Sequence, residues 1–347
     1  MSLFKVGLTR DLLTPSGQPS FGSGPLDVLE KAGDVLQWEY IRESVTEITP
    51  DVASRYDAIY VNAPKVTAAS VARSDCRLAL IARHGVGYDS VDIPAMTRAG
   101  VLVTNTPIAV RRPVATMAIT YVLALAQKML IKDRLTRTGK WGQRNEHMGR
   151  GLTGRTLGIV GAGGTGQETL KLVRGFEMRL LAADPYADAA KVEALGAKLV
   201  PLPTLLQESD FVVLTCLLND ETRHLINTEA LALMKTTAYL INVARGPVVD
   251  EPALIKVLQE NRIAGAGLDV FEQEPIAPDN PLLTMDHVIV SPHALCWTDE
   301  NFNAIAIDGL TSVVDVARRK RPAYLVNPDA LKAPRWATCA EEAPQSE

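Results

Sequence analysis

Residues 156–166 read TLGIVGAGGTG. The aliphatic, β-branched run Thr156-Leu157-Gly158-Ile159-Val160 predicts a buried strand. The turn after it spaces Gly161, Gly163 and Gly166 as G-x-G-x-x-G, with Gly164 and Thr165 between, and QETLKLVRGF then reads as a helix. Eighteen positions beyond Gly166, Asp184 closes the next strand candidate, RLLAAD. A glycine turn alone is weak evidence. A strand before it, a helix after it and an acid at the end of the next strand together form the dinucleotide-binding fingerprint. Gly161 allows the tight turn, Gly163 lets the backbone approach a pyrophosphate at the helix N-terminus, and Gly166 lets the helix pack on the strand. Asp184 would accept hydrogen bonds from ribose hydroxyls and repel a 2′-phosphate, so NAD is expected rather than NADP.

Outward from this turn, strand candidates alternate with helical stretches, which predicts parallel sheets with crossover helices. Before the turn the candidates are 3–8, 57–61, 78–82 and 101–104, with helical stretches near 25–33, 67–74 and 92–99. A long helical stretch covers 110–138. After it come strands at 156–160, 179–183, 198–200, 211–215, 238–241, 265–268 and 288–291, then a last helix at about 299–320. The polar segment 333–347 is expected to be a mobile tail.

The 347 residues suggest two domains; 47% are hydrophobic and 22% charged, as in globular proteins. The net charge of −4 leaves no general footprint for nucleic acid. Cys76, Cys216, Cys296 and Cys339 show no metal-ligand spacing, so no metal site is expected and the thiols read as free, in a reducing compartment. No signal peptide is apparent, and the apolar run 114–126 is short for a membrane span. A cytoplasmic protein without a membrane partner is the expectation.

Three further segments end strands in the second half: Asn242-Val243-Ala244-Arg245-Gly246-Pro247, Leu268-Asp269-Val270-Phe271-Glu272-Gln273-Glu274-Pro275 and Ser291-Pro292-His293. Ligands of open α/β sheets collect at the carboxyl ends of strands. One cation, one acid and one imidazole there suit hydride transfer at a 2-hydroxy or 2-oxo acid. Arg245 offers a planar fork for the substrate carboxylate. His293 would exchange a proton with the C2 oxygen, and Glu274 would orient its ring.

With GAGGTG and Asp184, NVARGPVVDEPAL, GAGLDVFEQEP and VSPH in this order, the chain resembles the D-isomer-specific 2-hydroxyacid dehydrogenase family over about residues 3–328. The resemblance implies two Rossmann-like or flavodoxin-like α/β domains with parallel sheets. The NAD-binding domain, 107–296, is inserted into a substrate domain split between 1–106 and 297–330. It also implies a homodimer and a small 2-hydroxy or 2-oxo acid as substrate. By position it makes Arg245, Glu274 and His293 catalytic. Val86 and Gly87, in the loop His84-Gly85-Val86-Gly87-Tyr88-Asp89, become carboxylate donors. Asp269 is the nicotinamide contact, while Pro185, Thr215 and Val243 line the cofactor. Formate dehydrogenases of this fold carry glutamine where Glu274 stands, so the glutamate favours the hydroxyacid branch.

The chain departs from the family pattern at IAVRRPVAT (108–116), at Leu217 and at ALCW (294–297), where Trp297 is a candidate to reshape the pocket wall. Arg111 or Arg112 is a candidate for a second anionic group on the substrate; a solvated helix-start pair or a dimer contact is the alternative. Two other readings of the whole chain stand beside the dehydrogenase: a dinucleotide-sensing corepressor or scaffold, and a dehydrogenase of an unusual donor such as phosphite.

Overall fold

The computed structural model describes residues 3–339. They divide into two compact units: residues up to Val110 with those from Trp297 onward, and Arg111–Cys296. The first junction lies at the start of a helix, a few residues beyond the 106/107 boundary read from sequence.

The first unit is a five-stranded parallel sheet of β1 (Phe4–Leu8), β2 (Leu36–Tyr40), β3 (Ala58–Val61), β4 (Leu80–Arg83) and β5 (Leu102–Thr104), in the order β2-β1-β3-β4-β5. The strand β2 was not among the sequence expectations. It is an edge strand whose residues alternate in exposure, so it lacks the continuous aliphatic run of its neighbours. The helical stretch expected at 67–74 is only a 3-10 turn, Ala69–Val71. There the Ser70 hydroxyl accepts the Thr67 N–H at 2.9 Å, a local bond that competes with helical pairing.

One face of this sheet is covered by the helix Asp299–Ala317, which Thr298 caps by accepting the Asn301 N–H at 3.1 Å. Its Phe302, Ala306, Leu310 and Val313 join Val6, Leu8, Tyr60 and Leu80 in one cluster. Each leucine-sized side chain removed from water contributes roughly 1.5–3 kcal/mol. On the other face Ile41, Ile48, Ile59, Ile81 and Val103 form a second cluster. The segment read as a mobile tail is not loose over its described part. Trp336 is buried and its indole N–H donates to the Gly100 carbonyl at 2.8 Å, so aromatic burial with a satisfied donor anchors it. The rest of that expectation, residues 340–347, lies outside the described residues.

The second unit is a seven-stranded parallel sheet. Its strands are β6 (Thr156–Val160), β7 (Arg179–Ala183), β8 (Ala197–Leu199), β9 (Phe211–Leu214), β10 (Tyr239–Asn242), β11 (Gly265–Leu268) and β12 (Val288–Val290). The order is β12-β11-β10-β9-β6-β7-β8, so the chain reverses direction across the sheet between β6 and β9. β6 is buried along its whole length between two aliphatic clusters, one on each face. Because every pairing is parallel, all carboxyl ends lie on one edge.

The long stretch 110–138 is two helices, Arg111–Ala126 and Met129–Arg137, bent by 57°. The break is at Lys128, whose φ of 50° is left-handed. The first helix buries Tyr121, Val122 and Leu125; the second buries none of its residues. Among the described residues no single helix is long and apolar enough to cross a membrane.

Candidate active site

The reversal between β6 and β9 is where an open parallel sheet leaves a crevice for a ligand. Gly161 follows β6 with φ +93°, and a Cβ there would stand 2.6 Å from the Cys216 backbone. On Gly166 a Cβ would overlap the Gly161 carbonyl oxygen and stand 3.0 Å from Ile159, so the helix Gly164–Val173 can lie on β6 only with glycine here. Around Gly163 nothing comes within 4 Å of a Cβ position. Its backbone is open on that side. Asp184, after β7, accepts the Ala162 N–H at 2.8 Å and the Tyr186 N–H at 2.9 Å. This fixes the carboxylate beside the turn, with acceptor capacity left for ribose hydroxyls. Thr215, after β9, donates its hydroxyl to the Gly161 carbonyl at 2.6 Å. Pro185 follows Asp184 exposed, and Val243 follows β10 buried.

On the same edge, His293 follows β12. Its Nδ1 is 2.8 Å from Glu274 Oε2, and Glu274 Oε1 accepts the Phe271 N–H at 3.0 Å. Burial pushes the Glu274 carboxyl up. The His293 hydrogen bond and charge, the Phe271 N–H and the Arg245 charge outweigh it, and its pKa lies below the usual glutamate value. It is therefore ionised and suited to hold an imidazolium. His293 has φ +53°, a left-handed conformation uncommon outside glycine. Its surroundings hold it there. The His293 N–H donates to the Ser291 carbonyl at 3.0 Å, and Asp269 Oδ1 accepts the Ala294 and Leu295 N–H groups at 3.1 Å. Asp269, after β11, is buried and its carboxyl is raised by that burial despite these bonds. Ser291 also donates to Asp269 Oδ1 and shares a hydrogen bond with the Tyr121 hydroxyl. Arg245, after β10, has one guanidinium N–H on the Ala244 carbonyl at 2.7 Å, and its charge acts on Glu274.

The family pattern described as "D-isomer specific 2-hydroxyacid dehydrogenase, NAD binding domain" matches residues 119–294. A glyoxylate reductase of Korarchaeum cryptofilum is 42% identical over 259 residues, covering 74% of this chain and 78% of the relative. The chain belongs to the D-isomer specific 2-hydroxyacid dehydrogenase family. Among solved structures, a glyoxylate reductase from Paecilomyes thermophila shares 27% identity with this dehydrogenase at a TM-score of 0.82, covering 94% of this chain and 99% of that one. A D-lactate dehydrogenase from Aquifex aeolicus, complexed with NAD and lactic acid, shares 28% identity at 0.78, covering 90% and 95%. This dehydrogenase is an NAD(H)-dependent oxidoreductase of 2-oxo and 2-hydroxy acids.

Within the dehydrogenase's second unit, the structure joins Glu274 to His293 directly, Arg245 to Glu274 through its charge, and Gly161, Asp184 and Thr215 at one turn. Val86 and Gly87 belong to the other unit, half-buried in the loop after β4. That loop is braced by the Asn105 side chain on the Val86 carbonyl at 2.8 Å and the Thr106 N–H on the Gly85 carbonyl at 3.1 Å. Beside it, His84 is buried in edge contact with Tyr60 and Phe302, and Phe302 in turn packs on Trp297. Of the two helix-start arginines, Arg112 pairs with Glu168 at 2.9 Å. The Tyr121–Ser291–Asp269 chain was missed in the sequence. Ser291 stood in view beside Pro292-His293, but a tyrosine inside an apolar helical run carries no mark of its partner. Trp141 is 63% exposed, with the Arg144 guanidinium 5.7 Å from its ring centre.

Proposed function

We propose that this dehydrogenase reduces small 2-oxo acids of the glyoxylate class to the 2-hydroxy acids, with His293 as acid/base. The His293–Glu274 contact at 2.8 Å carries the reading, because it engages Nδ1 and leaves Nε2 for the substrate. NADH supplies the hydride to C2. His293 Nε2 delivers a proton to the C2 oxygen, and Glu274 keeps the ring oriented and stabilises its charge. Arg245 holds the substrate carboxylate through its planar fork, joined by the backbone N–H groups of Val86 and Gly87. Among the described residues, neither of those N–H groups has an acceptor. Asp269 Oδ2, which likewise accepts from no described residue, takes the nicotinamide carboxamide. Gly161, Gly163, Gly164, Thr165 and Gly166 hold the pyrophosphate, Asp184 the ribose, and Pro185, Thr215 and Val243 line the cofactor.

In this reading the unit Arg111–Cys296 binds cofactor and the split unit binds substrate. The 2-oxo acid substrate is inferred from the relatives named above. A homodimer is supported by the helix Met129–Arg137, which buries nothing within the chain and shows Met129 and Leu130 to solvent. Cys76, Cys216 and Cys339, which form no disulfide among the described residues, support a reducing compartment, the cytoplasm.

The test is consumption of NADH and NADPH with glyoxylate, pyruvate and longer 2-oxo acids, in the wild type and in His293→Ala. Expected are turnover of short 2-oxo acids with NADH preferred, and a loss of about 10²- to 10⁴-fold in kcat in the variant with NADH binding kept. NADH binding without turnover of any 2-oxo acid would replace the dehydrogenase reading with the sensor or scaffold. Near wild-type kcat in His293→Ala would remove the histidine from the chemistry.

A further inference from the structure

Only three glycines of the turn are demanded by the fingerprint spacing; Gly164 is a fourth, in a position where any residue fits the pattern. Its φ is not left-handed, and the three atoms nearest to its side-chain position all belong to one side chain. What occupies its side-chain space is Arg111. A Cβ on Gly164 would come within 2.9 Å of Arg111 Cδ and Cζ, and closer still to Nε. The Cδ–Nε–Cζ end of the Arg111 side chain therefore lies over the first residue of the helix Gly164–Val173. The neighbouring Arg112 differs: Glu168 neutralises it at 2.9 Å. Among the described residues no carboxylate pairs with Arg111, which is exposed.

The first intrahelical bond of this helix is the Gln167 N–H on the Gly163 carbonyl, so the N–H groups of Gly164, Thr165 and Gly166 lie ahead of it without helical partners. They belong to the turn read above as the pyrophosphate site. An uncompensated planar cation, laid over that turn by a glycine that makes room for it, matches a bidentate phosphate ligand.

We propose that Arg111 binds the cofactor's pyrophosphate and that Gly164 is glycine to admit it. The proposal rests on the reading of the glycine turn as the phosphate site. It moves Arg111 from the candidate role of gripping a second anionic group on the substrate to one in cofactor binding.

The experiment measures dissociation constants for NADH by its fluorescence, and for ADP and adenosine by competition, in Arg111→Met, Gly164→Ala, the double variant and Gly163→Val. Thermal melts confirm that each is folded. Expected in Arg111→Met is about 10-fold weaker NADH and ADP, with adenosine, which has no phosphate, within about 2-fold. Gly164→Ala should weaken ADP in the wild-type background and add less than about 2-fold once Arg111 is gone, because both changes remove one contact. An ADP affinity within about 2-fold of wild type in Arg111→Met overturns the proposal, as does a defect confined to dicarboxylate substrates. Gly163→Val separates the two levels of inference. If it abolishes ADP binding while Arg111→Met does not, only the arginine's role fails. If ADP binds Gly163→Val normally, the turn itself is not the phosphate site.

Discussion

His84 shows how burial sets chemistry at a single residue. It is 4% exposed and shares a hydrogen bond between Nδ1 and the Tyr60 hydroxyl, while its buried Nε2 has no partner among the described residues. Burial first, then the nearby Arg83 charge, pushes its pKa down to about 3. The ring is neutral in the folded protein at any ordinary pH, which disfavours it as a proton donor beside the loop of Val86 and Gly87. The unfolded chain protonates near 6.5. Between about pH 6.5 and 3 the unfolded state therefore binds more protons, and stability falls as pH falls. From pH 6.5 to 5 the wild type should lose about 2 kcal/mol more than His84→Gln, read from urea midpoints. Equal losses would show that the ring is hydrated in the fold. Arg245, Glu274 and His293 stood out at this scale as candidates because each lies within six residues of the end of a strand. The orientation of Arg111 was not legible, since no spacing rule says which of two adjacent arginines an acid will neutralise.

Among the elements, the βα turn after β6 is constrained unevenly along its length. Gly163 and Gly166 are both glycine, but they meet different constraints. Around Gly163 there is open space, whereas at Gly166 a methyl group would overlap the Gly161 carbonyl. Gly166→Ala should therefore lower stability by about 1–3 kcal/mol through overpacking of helix on strand. Gly163→Ala should leave the urea midpoint unchanged. A Gly166→Ala variant as stable as wild type would mean that the helix can shift without cost. Buried strands of the second unit were readable because a strand covered on both faces is an uninterrupted aliphatic run. The edge strand β2 was not, because its exposed face breaks that run. The helical stretch at 110–138 is helical, but its division into two helices was not readable for a related reason: hydrophobic pattern does not register a left-handed residue such as Lys128.

At the scale of the whole molecule, the unit Arg111–Cys296 is continuous in sequence and closes its own core on both faces of its sheet. Expressed alone, residues 111–296 should melt cooperatively and bind NADH, yet turn over no 2-oxo acid, because the carboxylate donors proposed above, Val86 and Gly87, belong to the other unit. Failure to fold alone, seen as the absence of a melting transition, would contradict the independence of its core. The restart of strand alternation at residue 156 separates the strands of the two sheets in the sequence. The order of the strands in space was not legible, because it depends on which faces the crossover helices cover.

The other unit has the opposite character. Its sheet is complete once residue 104 is made, but the face that needs Phe302, Leu310 and Val313 waits for the last helix. The 186 residues from Arg111 to Cys296 must leave the ribosome first. At about 5–20 residues per second that is about 10 to 40 s with an aliphatic sheet face uncovered. During every round of synthesis the inserted unit can fold while the older segment still waits, so protection of the nascent chain matters most for the residues made first.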